Sequence, residues 1–188
     1  MKIEEIYGDL PTLETERLIL RKLTPADLED MYVYGSNPDV TKYVTWDTHQ
    51  TVSDTNGFLQ FILSQYEKKQ IAPWGMEYKE NSRIIGTIDF VWWHPDQYRA
   101  EIGYALSQEY WGKGIMTEAA KEVVQFGFEK MGLTRIQAKC FTENTGSARV
   151  MEKAGMTFEG IMRKGIFVKG ESLDLKVYSV LKEEFLAK

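Results

Sequence analysis

Ala100-Glu101-Ile102-Gly103-Tyr104-Ala105-Leu106, then Ser107-Gln108-Glu109-Tyr110-Trp111, then Gly112-Lys113-Gly114-Ile115-Met116-Thr117-Glu118-Ala119, is the stretch on which the fold turns. It reads as a strand, a short loop and a glycine-bearing helix start. Met116, Ala119, Ala120, Val123, Val124 and Gly127 recur at helical spacing, so the helix runs from about Gly114 to Met131, and Gly132 is placed to end it. The glycines let the backbone approach a ligand closely. The first amides of a helix lack internal partners, and with the helix dipole they form an anion cradle. A pyrophosphate suits that cradle, helped by the Thr117 hydroxyl and the Lys113 charge. The P-loop pattern is absent, and the dinucleotide pattern lacks its third glycine because Thr117 stands there. By itself, Gly112-Lys113-Gly114 reads equally well as a turn that merely starts a helix.

Working outward, strands are predicted at Trp74 to Tyr78 and Ile84 to Trp92, with Glu80-Asn81-Ser82 turning between them. Trp92 and Trp93 must point to opposite faces of their strand. An earlier strand spans Arg17 to Arg21. A helix then starts at Thr24-Pro25, with Thr24 capping and Asp27 in the first turn, and fades by Gly35-Ser36-Asn37-Pro38. Thr51 to Gln70 reads as a second helix, with Phe58, Phe61, Ile62 and Tyr66 along one side. Downstream come a strand at Thr134 to Phe141 and a helix at Thr145 to Ala154, capped by Asn144 and stopped by Gly155. Strands near Phe158 to Phe167 and Asp174 to Leu181 close the chain. This order predicts an α+β arrangement around one sheet, not the regular alternation of a doubly wound fold.

The bulk numbers bound the function. A length of 188 residues fits a single domain over 1–188, with order expected beyond the first dozen residues and before the last few. A net charge of -5 argues against a general nucleic-acid binder and mildly suits a cationic substrate. Cys140 is the one cysteine, so no intrachain disulfide forms; it sits in an alternating apolar run and reads as a core thiol. With only His49 and His94 beside it, no metal site is expected. The N-terminus shows no export signal, and no apolar run approaches the roughly 20 residues that span a bilayer. A cytoplasmic protein, monomeric or homodimeric, without nucleic-acid or membrane partners, is the expectation.

The order and spacing of several short motifs add to this. Ala100 to Tyr104, Trp111 to Gly114 with Thr117-Glu118-Ala119, Asn144-Thr145-Gly146-Ser147-Ala148-Arg149, Met151 to Gly155 and Glu159-Gly160 together resemble the GNAT acetyltransferase superfamily. The resemblance begins at Leu13-Glu14-Thr15-Glu16-Arg17-Leu18 and covers nearly the whole chain. More narrowly, the chain is similar to the ribosomal-protein N-terminal (alanine/serine) acetyltransferases. Two positions depart from the pattern: Glu109 stands where Arg or Gln is usual, and Met156 replaces an aromatic.

The resemblance implies a GNAT fold: one mixed, mostly antiparallel twisted sheet flanked by about four helices. It implies acetyl-CoA as co-substrate, with Tyr104, Ala105 and Leu106 along the pantetheine arm. The amides of Gly112, Lys113, Gly114, Ile115, Met116 and Thr117 would hold the pyrophosphate. Asn144 and Ser147 would lie near the thioester, and Lys153 at the phosphate-bearing end. The implied chemistry is direct attack of an amine on the thioester. Glu101 is then the candidate base, against a salt-bridge role, and Ser147 the candidate donor to the departing thiolate, against a capping role. Tyr104 and Tyr178 are further hydroxyl donors. Trp46, Trp74, Phe126 and Phe128 read first as packing residues. A protein or peptide N-terminus is the leading acceptor. A small amine (polyamine, aminoglycoside or amino-acid derivative) is the alternative, and a non-catalytic acyl-CoA-binding module is the reading from another class.

Overall fold

A computed structural model describes residues 2–187. The chain opens with α1 (Ile3–Tyr7), β1 (Leu13–Glu14) and β2 (Leu18–Arg21). A 3-10 turn at Pro25–Asp27 leads into α2 (Leu28–Gly35), followed by α3 (Pro38–Thr41) and α4 (Val52–Glu67). Then come β3 (Trp74–Tyr78), β4 (Arg83–His94) and β5 (Arg99–Leu106). The second half is α5 (Ile115–Glu129), β6 (Arg135–Phe141), α6 (Thr145–Lys153), β7 (Thr157–Val168), β8 (Glu171–Leu181) and α7 (Lys182–Leu186). The eight strands form one sheet in the order β1-β2-β3-β4-β5-β6-β8-β7. Every pairing is antiparallel except β5 with β6, as the intervening helix demands. The expected α+β sheet is therefore present. Of the seven α-helices among the described residues, α2, α4, α5 and α6 reach eight residues or more.

The parallel pair positions the site. β5 and β6 are hydrogen-bonded from Arg99↔Arg135 to Ile102↔Ala138 and no further. Beyond that point Gly103–Leu106 stays paired to β4, while Lys139–Phe141 stays paired to β8. The sheet consequently opens into a V at its centre.

Strand alternation sends Ile88, Phe90, Ala100, Ile102, Ile136 and Ala138 to one face, all buried. α5 lies against that face. A Cβ on its Gly127 would come within 2.7 Å of Ile136 and 3.1 Å of Phe90, so only glycine allows this closeness. Val123, Val124 and Phe128 of the same helix are fully buried. Each large side chain so buried contributes about 1.5–3 kcal/mol. The opposite face carries a second cluster built from Leu23, Met31, Tyr34, Val40, Leu59, Ile62 and Ile84, which seats α2 and α4.

Two expectations need correcting. The N-terminal dozen is built into the fold: Tyr7 and Leu10 are buried, and the Trp74 indole donates to the Pro11 carbonyl at 2.7 Å. The apolar side of α4 is the expected one except at Phe61: Ile62 is buried, and Phe58 and Tyr66 pack against the core. Its buried stripe is Thr55, Leu59 and Ile62, at i, i+4 and i+7, while Phe61 is 57% exposed. Phe61 instead lines the cleft described below. Other local readings hold. Asn144 accepts from the Ser147 amide at 3.0 Å, and Gly132 and Gly155 end their helices with positive φ. Trp93 is buried, whereas Trp92 packs against the His94 ring and the Arg99 guanidinium. Trp74, Phe126 and Phe128 pack in the core.

Candidate active site

Two cavities meet at the V. The first, of about 530 Å³, lies between the free edge of β5, the start of α5 and α6. It gathers Tyr104, Ala105, Leu106, Gly112, Gly114, Ile115, Met116, Thr117, Asn144, Ser147 and Lys153, all of them expected from the sequence. Gly112 and Gly114 take φ of 73° and 76°, a left-handed conformation that side chains resist. Gly114 is the N-cap of α5, and no side chain caps the amides that follow. The helix start thus presents free donors and a dipole to the cavity, which fits a pyrophosphate. Lys113 is the expected member that the cavity does not gather: its ammonium lies over the Tyr110 ring, 5.4 Å from the centroid. Glu109 is exposed and stands outside the cavity, so its charge does not oppose the cradle.

Behind the cradle lies a clamp that the sequence does not announce. Glu118, in the first turn of α5, accepts from the Thr15 hydroxyl at 2.5 Å and the Arg17 amide at 2.8 Å. Its other oxygen accepts from the Arg17 guanidinium at 2.7 Å. Arg17 also donates to the Lys113 carbonyl at 3.0 Å. Burial works against ionisation of Glu118, but these hydrogen bonds prevail and hold its carboxyl below the usual value. Both halves of the clamp belong to motifs that carry the family resemblance, Leu13 to Leu18 and Thr117-Glu118-Ala119. Their meeting in space, across about 100 residues of chain, is what a linear pattern does not convey.

Where the cavities join, the Tyr104 hydroxyl is 3.0 Å from the Ser147 hydroxyl. Burial raises the Tyr104 pKa well above the usual phenol value, so it stays protonated and able to donate. Tyr178 is not part of this pair; it is buried and its hydroxyl meets Glu152 at 3.3 Å. Cys140 is 6% exposed, and burial raises its pKa, as befits a core thiol.

The second cavity, of about 680 Å³, opens on the other face, between the sheet and α4. Its wall includes Trp46, Phe58 and Phe61, and the Trp46 and Phe58 rings stack at 6.0 Å. The turn joining β7 to β8 reaches over to the end of α3, where the Lys169 ammonium donates to the Thr41 carbonyl at 2.6 Å. Glu101 lies in this cavity, and its Oε2 accepts from Gln137 at 2.7 Å and pairs with Lys139 at 2.8 Å. The salt-bridge role weighed for it is thus occupied. Asp89, which sequence reasoning does not single out, lines the same cavity from β4. Burial pushes its carboxyl from 3.8 up to about 7. Among the described residues, no group of three or more His, Cys, Asp or Glu is placed to hold a metal ion.

The chain is similar to known proteins in sequence and fold. Residues 17–157 match the family model described as an acetyltransferase (GNAT) domain. The chain is 37% identical over 172 residues to the N-acetyltransferase YoaA of Bacillus subtilis (strain 168), itself uncharacterized, covering 92% of this chain and 97% of that one. It is 28% identical over 174 residues to a protein of the same organism with the provisional name ribosomal N-acetyltransferase YdaF, covering 90% and 94%. A solved acetyltransferase (GNAT family) from Bacillus anthracis is 33% identical and superposes with a TM-score of 0.82, over 92% of this chain and 99% of that chain.

Proposed function

Because the chain belongs to the GNAT acetyltransferases and uses acetyl-CoA, we propose that it acetylates the amine of a protein or peptide N-terminus, such as that of a ribosomal protein. The observation that carries this reading is the V between β5 and β6. It joins the cavity with the anion cradle to a second, roomy cavity of about 680 Å³ on the opposite face. The amine enters through the second cavity and attacks the thioester carbonyl at the junction. The N–C bond forms as the C–S bond breaks. Tyr104 and Ser147 donate hydrogen bonds to the departing thiolate, which takes up a proton. Asn144 holds the Ser147 backbone in place for that role.

A small primary amine is the second reading. It is favoured by the Lys169–Thr41 link, which ties the β7–β8 turn to the end of α3, two residues before the cavity-lining Tyr43.

The test is release of free CoA from acetyl-CoA, against peptides with free Ala or Ser N-termini, the same peptides blocked, and polyamine, aminoglycoside and amino-acid amines. Turnover on the free peptides alone supports the first reading. Turnover on small amines alone replaces it with the second. Acetyl-CoA binding without transfer to any acceptor would leave an acyl-CoA-binding module.

A further inference from the structure

Asp89 has a setting unlike that of the paired carboxylates of the molecule. Asp27, Asp30, Glu77, Glu118 and Glu159 are each paired with an arginine. Glu101 is paired with Lys139. Asp89 has neither an ion pair nor a side-chain hydrogen bond among the described residues. It nonetheless sits in the middle of the sheet, on a central strand. A carboxylate left there without a partner loses solvation, and the fold retains it at a cost.

Its position gives the reason. Asp89 is the cross-strand partner of Gly103, the first β5 residue beyond the last β5–β6 pair. Gly103 belongs to the lining of both cavities, and Asp89 lines the second of them directly across from it. A Cβ on Gly103 would lie 3.6 Å from the Asp89 Oδ1 and 2.6 Å from the Val91 Cγ1. Glycine therefore keeps open the space between this carboxylate and the free edge of β5.

We propose that Asp89 is the catalytic residue that takes the proton from the acceptor ammonium. This rests on the amine-acetylating function proposed above. The ammonium gives one proton to the carboxylate and becomes a neutral amine. Its lone pair forms the bond to the thioester carbon, and the C–S bond breaks. The second proton of the attacking nitrogen goes to the thiolate, and Asp89 returns its proton to solvent. The products are an amide, free CoA and one proton. The charged or titratable groups around Asp89 are Tyr7 from α1 and Tyr66 from α4, both of which feel its charge. Glu101 from β5 and Lys139 from β6 line the same cavity. The tyrosines stay neutral, and Lys139 offsets Glu101, so Asp89 governs the acid side of the pH profile.

The experiment is the pH dependence of kcat/KM, from pH 5.5 to 10, for wild type, Asp89→Asn and Glu101→Gln. The acceptor is a peptide with a free N-terminal serine, or a small amine if only that class turns over. Thermal unfolding and the Kd for acetyl-CoA serve as folding controls. Wild type and Glu101→Gln should both rise through about pH 7 and level off. Asp89→Asn should fall about 100-fold at pH 8, the size expected of a lost general base. It should bind acetyl-CoA unchanged and lose the limb near pH 7. Its rate should instead climb with the fraction of acceptor that is already neutral. An Asp89→Asn profile of the wild-type shape, at any rate level, overturns the assignment. A limb lost in Glu101→Gln and kept in Asp89→Asn moves the role to Glu101. Wild-type protein that acetylates no amine overturns the acceptor reading and this role with it, a result distinct from the other two.

Discussion

An unpaired carboxylate in the middle of a sheet affects stability as well as chemistry. Burial raises the Asp89 pKa in the folded protein to about 7, from 3.8 when the chain is unfolded. Between those values the folded state holds a proton that the unfolded state has released, so stability falls as pH rises through this window. Below 3.8 both states are protonated and the loss vanishes. Asp89→Asn is neutral throughout. It should therefore melt at the wild-type temperature near pH 4 and above it at pH 8, with the gap opening between about pH 4 and 7. Calorimetric scans of the two proteins at pH 4, 6 and 8 check this. A gap that does not change with pH would mean the carboxyl titrates in its ordinary range. The expectation pairs with the kinetic one: the substitution that costs turnover should gain stability, as when a strained group is kept for function. Glu101 could be weighed from sequence because it lies inside a recognisable motif. Asp89 could not, because its importance comes from facing Gly103 across two strands and from having no partner. Neither property is written in a linear pattern.

At the scale of elements, the start of α5 is the part most open to a direct test. Gly114 caps the helix at φ 76°, and a Cβ added there would meet only the Arg17 guanidinium, 3.7 Å away. The requirement there is conformation, not room. Valine at Gly114 forces a β-branched residue into the left-handed region, at a cost of about 1–3 kcal/mol. The first turn should tilt, and its amides should leave the cradle. The expected result for Gly114→Val is a Kd for acetyl-CoA raised at least about 10-fold, the loss of roughly 1.4 kcal/mol of binding. Titration calorimetry measures it, and an unchanged Kd would remove these amides from the cofactor site. This element was legible in the sequence because glycine spacing and helical periodicity are local signals. So were the hairpin at 80–82, the Asn144 cap and the helix stops. The clamp from Thr15 and Arg17 onto Glu118 was not, because it joins two segments that share no local pattern. Phe61 of α4 escapes a periodic count for a related reason. It looks like core in such a count, yet it is exposed on a cavity that exists only once the sheet has opened.

Over the whole molecule, the two cavities depend on elements from opposite ends of the chain. The acceptor side is walled by α4 and by Gly165, Ile166 and Leu175 of β7 and β8, and Lys169 in the turn between those strands reaches the end of α3. Lys169→Ala removes that link, and Lys169 itself lines neither cavity. It should raise KM for the acceptor about 3- to 10-fold, with kcat and the Kd for acetyl-CoA unchanged. That is the pattern of lost uniform binding, and steady-state kinetics at varied acceptor would show it. A changed kcat would instead mean that the link positions the reacting groups. The cofactor side makes a different demand. Acetyl-CoA would contact β5, α5 and α6 together, across the one place where the sheet lacks pairing. It would bind the folded chain only, because the unfolded chain has no V and no cradle. At 100 times Kd such a ligand stabilises by about 2.7 kcal/mol. For a chain of this length that raises the melting temperature by roughly 5–10 °C. The shift should grow with the logarithm of acetyl-CoA concentration, appear with free CoA as well, and shrink at equal concentration in Gly114→Val. Differential scanning calorimetry over a 100-fold range of ligand makes the measurement. A flat melting temperature in well-folded protein would separate the V from cofactor binding, and the acceptor and Asp89 assignments would lose their common foundation.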